Sequence, residues 1–164
     1  MAKRKTSSKT ANEKSSFKDL NQFLTSKVAE RATSGMSNGA KIALFLDKEA
    51  FYFTREAGKN VCKTGECDDP EMSFWLTNDA AQKVFNLTIE EDASITDIGL
   101  SLFDSILSKD EKNKIRFSIH ASFLRLWSKG YFSVLKTGGP EIAAYMARIG
   151  FGSLQQLKKL FMKS

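Results

Sequence analysis

The chain has 164 residues, 41% of them hydrophobic and 11% aromatic, with only two prolines, a composition that excludes a disordered chain and leaves no room for a second domain. The formal net charge is +6, but residues 1 to 16 hold five Lys/Arg against Glu13 alone, so the body carries 20 bases and 18 acids. A nucleic-acid reader needs its basic patch on the folded surface. The distribution therefore disfavours nucleic acid as a partner and predicts a flexible basic tail over 1–16, with an anionic membrane surface as its candidate contact.

No apolar run approaches the ~20 residues of a membrane span. The basic start runs into polar residues and lacks the apolar segment of a secretory signal. The expectation is a cytoplasmic protein with reduced cysteines.

After the tail, one domain is expected over 17–164. In "SSFKDLNQFLTSKVAERATSG", Phe17, Leu20, Leu24 and Val28 share a helical face, with Ser16 and Asp19 as a start signal and Gly35 as a stop. From Lys41 the period shortens to two. "KIALFLDKEAFYFTRE" reads as a hairpin, "VCK" as a third strand and "EMSFWLT" as a fourth, with turns at "EAGKN" and "TGECDDP". Four strands in series predict a meander.

Thr77, Asn78 or Asp79 can cap a helix carrying Val84, Phe85 and Leu87. Ser94 and Asp97 open another with Ile95, Ile98, Leu102 and Ile106 at helical spacing. "KIRFSIH" alternates cleanly as a fifth strand. The remainder is helical: one segment with Phe123, Leu126, Trp127, Val134 and Leu135, one from Pro140 to a stop at Gly150, and a last one with Leu154, Leu157 and Phe161. The fold class is α+β, a five-stranded, mainly antiparallel sheet covered by helices.

Cys62 and Cys67 form a C-x4-C pair with no second pair, and His120 is the sole histidine. Three such residues cannot close a structural zinc site without a carboxylate such as Asp68, so no metal and no cofactor is expected. His120 could serve as a base, but no Ser-His-Asp or Cys-His order surrounds it, and a strand-end hydrogen bonder is the favoured reading. "KTGGPEIAAYM" looks like an anion-binding glycine loop, yet it lacks P-loop and dinucleotide-fold spacings. Gly138 and Gly139 ending one helix and Pro140 opening the next explain it without a ligand. Most of the thirteen phenylalanines read as core, but Phe123, Trp127, Tyr131 and Phe132 with Phe103 and Phe74 exceed what a thin helix-on-sheet layer requires, and an apolar cavity is one use for them.

The elements "FYFTREAGKN", "KTGE", "DDPEMSFWLT" and "NDAAQKVF", followed by "NKIRFSIHA", together resemble the sterol-carrier-protein-like (SCP-2-type) lipid-binding domain. The resemblance spans roughly residues 17 to 120 and rests on patterns. It departs from the family in its 44 further residues, where extra C-terminal helices replace a short terminal one.

The resemblance implies a cavity between sheet and helices for a fatty acyl chain, sterol or phospholipid, bound or transferred without catalysis. Periodicity then nominates Phe74, Leu76, Phe103, Ile106, Phe117, Trp127 and Tyr131 as its lining. The alternative is a protein- or nucleic-acid-interaction module with a filled core and a basic N-terminal arm, and an enzyme ranks third.

Overall fold

The structure is a computed structural model that describes residues 7–89 and 92–148. The first six residues of the expected tail, the Gly150 stop and the last predicted helix lie outside the described residues. Residues 7–16, expected as tail, are instead the first part of α1 (Ser7–Leu24).

The single helix expected after the tail is two. α1 ends at Leu24 and α2 runs Lys27–Ala32, because Ser26 takes an extended conformation and its hydroxyl accepts from Ala29 N. That internal cap restarts the chain in a new direction. β1 (Lys41–Leu46), β2 (Glu49–Glu56) and β3 (Lys59–Thr64) follow as two hairpins, then β4 (Met72–Leu76). α3 (Asn78–Asn86) is capped by Thr77, and α4 (Ile95–Leu107) by Ser94, which accepts from Asp97 N. β5 (Ile115–Ile119), α5 (Phe123–Ser128), α6 (Tyr131–Thr137) and α7 (Gly139–Arg148) complete the order.

The expected four-strand meander is corrected by the pairing. Strand order is β3-β2-β1-β4-β5, so β4 does not lie beside β3. It crosses to the far side of β1 and pairs with it in parallel, Ile42 opposite Met72 and Leu46 opposite Leu76. The other three pairings are antiparallel, giving a mixed sheet.

Period-two alternation sends Leu44, Phe51, Phe53, Phe74 and Ile115 to one face of the sheet, and all three core clusters form there. The first packs Leu20 of α1 and Phe85 of α3 on Phe51 and Cys62. The second joins Val28, Val84, Ile98 and Ile115. The third holds Phe53 with Met36, Leu126 and Tyr131. On the opposite face Phe45 stacks on Trp75 at 5.4 Å, the rings nearly parallel at 9°.

The C-terminal helical segment expected to run unbroken through Trp127 and Val134 is divided at Gly130, whose φ of 78° is left-handed. A Cβ there would sit 2.1 Å from Gly35 O. Only glycine allows the α5–α6 turn to touch the backbone that follows α2.

Candidate functional site

Between these clusters the helices stand off the sheet and leave a cavity of about 410 Å³. Its floor is Ile42 of β1, Met72 and Phe74 of β4, and Phe117 and Ile119 of β5. Phe74 and Phe117 stack on each other at 5.5 Å across β4 and β5, which fixes the two rings side by side in the floor. Leu24, Val28 and Ala32 form one wall. Ile98, Leu102, Phe103 and Ile106 of α4 form the second. Leu126, Tyr131, Phe132 and Leu135 form the third, and Ile142 of α7 closes the end.

The α4–α7 corner is close-packed. A Cβ at Gly99 would come within 2.8 Å of Ile142 Cδ1, and one at Gly138 within 2.6 Å of its Cγ1.

Of the residues nominated from the sequence, Phe74, Phe103, Ile106, Phe117 and Tyr131 lie around this one space. Leu76 does not, and is corrected: it packs against the core built by Ala80, Ala81, Val84 and Phe85, because α3 covers the C-terminal end of β4. Trp127 is also corrected. It is 63% exposed, since the break at Gly130 leaves α5 too short to carry Trp127 and Val134 on one face, and Leu126 takes the buried position.

The polar support of the site was not legible beforehand. Glu71, just ahead of β4, is fully buried, yet both its carboxylate oxygens have partners. Arg125 donates to Oε1 from Nε at 3.0 Å and from Nη2 at 2.7 Å. Oε2 accepts from Tyr131 Oη at 3.0 Å and from Lys41 N at 2.5 Å. Glu71 O also accepts from His120 N at 2.9 Å. One side chain and its backbone thus tie β1, β4, β5, α5 and α6 together.

A buried carboxylate is costly unless it is paired and hydrogen-bonded, and this one is both. Burial, then the nearby Glu71 charge, pushes the Tyr131 phenol above its ordinary range. Hydrogen bonds that it donates to Asp69 and then to Glu71 hold the Arg125 guanidinium more firmly protonated. The same contact with Arg125, 2.9 Å from Asp69 Oδ2, holds the Asp69 carboxyl below its ordinary range.

A second network closes the α2 end. Arg55, buried on β2, donates from Nη1 to Asn60 Oδ1 at 2.7 Å and reaches Glu30 Oε2 at 3.4 Å. Asn60 Nδ2 donates to Leu24 O at 2.8 Å, and Glu30 Oε1 accepts from Asn60 N at 2.7 Å. Thr33 and Asn60 are the polar side chains that this network presents to the cavity.

Cys62 is buried in the first core cluster and Cys67 is half-buried beyond β3, both as free thiols. Burial pushes Cys62 up to about 11 and Cys67 upward as well. His120 Nε2 lies 2.8 Å from Ser73 Oγ, a strand position that alternation places opposite the cavity floor. Gly138 caps α6, and α7 opens at Gly139, with a φ of 76°, one residue before the expected Pro140. Among the described residues, no helix is long and apolar enough to cross a membrane.

No protein family matches the chain, and no curated protein does. Among solved structures, one titled "UbiJ-SCP2 Ubiquinone synthesis protein" is similar over 79% of this chain and 97% of that one, at a TM-score of 0.43 and 10% identity. At that similarity, the functional reading rests on the geometry of the cavity.

Proposed function

We propose that this chain binds a lipid in the cavity and carries it, without catalysis, its ligand being a fatty acyl chain, a sterol or a phospholipid tail. The observation that carries the reading is about 410 Å³ of unfilled space walled almost wholly by apolar side chains, within the range of roughly 300–1,000 Å³ common to ligand pockets. Each buried CH2 contributes about 0.8 kcal/mol, so eight of them supply roughly 6 kcal/mol before the costs of association. The aromatic floor and the two polar networks hold the walls apart, which spares the ligand the work of opening them. An interaction module with a filled core would place side chains where this space lies, so the cavity favours the lipid reading over that rival.

The test is extraction of the natively purified protein into organic solvent with mass spectrometry of the extract, alongside titration with a fluorescent fatty acid. Recovered acyl, sterol or phospholipid species and saturable probe uptake support the reading. An empty extract together with no saturable uptake overturns it.

A further inference from the structure

The cavity has a mouth, and the side chains around it are not those of an ordinary wetted surface. Phe123 is 41% exposed, Leu124 78%, Trp127 63% and Leu135 36%, all on α5 and α6. Phe123, Trp127 and Phe132 pack as one aromatic group, with ring centroids 5.1 to 6.2 Å apart. Phe123, Phe132 and Leu135 also line the cavity, so the exposed patch and the cavity wall are one continuous apolar surface.

Along α5 and α6 themselves the charge has one sign; the acids next to this stretch in the chain are Glu111, paired with Lys114, and Glu141 in the first turn of α7. From residue 112 to residue 140 the chain carries Lys112, Lys114, Arg116, Arg125, Lys129 and Lys136, and neither Asp nor Glu. Arg125 is engaged by Asp69 and Glu71, and Arg116 lies on β5, beside Trp75 of β4. Lys129 and Lys136 stand at the C-terminal ends of α5 and α6, the helices that carry the patch, and form no ion pair among the described residues. The surface acid bound to these helices, Asp69, is neutralised by Arg125.

We infer that the α5–α6 face docks on an anionic phospholipid bilayer, with Leu124 and Trp127 entering the interfacial layer and Lys129 and Lys136 meeting the phosphates. Tryptophan beside aliphatic residues partitions into the headgroup boundary, where its ring is amphipathic and its N–H stays wet. Lysines close to an anionic surface add electrostatic attraction that salt weakens. A bilayer fits the patch because it matches both the apolar side chains and the lysines of the helices that carry them, and because it is where an apolar ligand enters or leaves the adjoining cavity. This inference rests on the lipid reading of the cavity for its purpose, while the contact itself is tested separately.

The full chain is mixed with vesicles of pure phosphatidylcholine and with vesicles containing phosphatidylglycerol, and partitioning is measured by flotation. The combined Leu124→Asp and Trp127→Ala variant is expected to lose at least tenfold in partitioning, while uptake of a soluble fluorescent fatty acid stays within twofold. Lys129→Glu with Lys136→Glu is expected to abolish the preference for anionic vesicles. In a Trp75→Phe background, Trp127 is the remaining tryptophan, and brominated acyl chains should quench it.

Three results would overturn the inference: equal partitioning of the variant and the wild type, loss of all binding on deleting residues 2–6 alone, or a wild type that ignores vesicles but self-associates through the patch. If Trp127-dependent vesicle binding persists without fatty-acid uptake, the docking face stands and the cavity reading falls.

Discussion

Tyr131 donates its hydroxyl to Glu71 Oε2 at 3.0 Å, which fastens the helix walling the cavity to the strand that floors it. Tyr131→Phe keeps the ring in the wall and removes this bond to a buried charge. An expected loss of about 1.5–3 kcal/mol follows from hydrogen bonds to charged groups, read by urea denaturation. Glu71→Gln should cost more, because an amide nitrogen then faces a partner that can only donate. Unchanged unfolding midpoints in both variants would show that water replaces these bonds.

Gly130 and Gly35 make a second joint with a different sensitivity. Gly130→Ala requires a left-handed alanine at φ 78° and a Cβ 2.1 Å from Gly35 O, so its cost exceeds the ~1–2 kcal/mol of the conformation alone. Gly35→Ala meets Ser133 Oγ at 2.2 Å and its Cβ at 2.6 Å, both side-chain atoms. Adding Ser133→Gly should restore thermal stability to Gly35→Ala and not to Gly130→Ala.

Ala32 borders the cavity from α2, and a larger side chain there has empty space to occupy. Ala32→Phe is expected to lower the affinity for a fluorescent fatty acid by tenfold or more while leaving the melting temperature level or higher. A variant that takes up the probe as the wild type does would place the ligand elsewhere. A fall in melting temperature would mean that the ring overpacks the wall.

The alkaline limb of stability has a predicted sign. Burial raises Cys62 from 9.0 to about 11, so between those values the folded chain keeps a proton that the unfolded chain has released. Stability from this group is complete below about pH 9 and declines as pH climbs toward 11. Urea midpoints taken from pH 8 to 11 should fall more steeply for the wild type than for Cys62→Ala. Under native conditions at pH 8, iodoacetamide should label Cys67 well before Cys62, as peptide mass spectrometry would read.

Much of the local structure was legible because capping and periodicity are local. Thr77, Ser94 and the alternation of Ile115, Phe117 and Ile119 each mark an element where the structure has one. Strand order was not, because a period-two pattern states which face is apolar and is silent on the neighbour. A signal was present: β3 and β4 are joined by Gly65 to Glu71, seven residues, longer than a hairpin loop of roughly 2–5.

The site divides the same way. Phe74 and Phe117 follow from alternation, whereas Leu76 is claimed by α3 and Trp127 is turned outward by the break at Gly130. Glu71 looked like one more acid in "DDPE". Its burial depends on Arg125, Tyr131 and Lys41 arriving from distant parts of the chain, which no sequence period encodes.

The parallel pairing of β1 with β4 also orders events in time. β1, β2 and β3 can zip as adjacent hairpins on a microsecond scale, but β4 must return past both of them before Ile42 meets Met72. Long-range pairings carry the slow, loop-closure part of folding. β4, β5 and the α5–α6 wall are therefore expected to join the β1–β3 hairpins late. A lipid in the cavity, gripping elements expected to come together late, should slow unfolding more than it hastens folding.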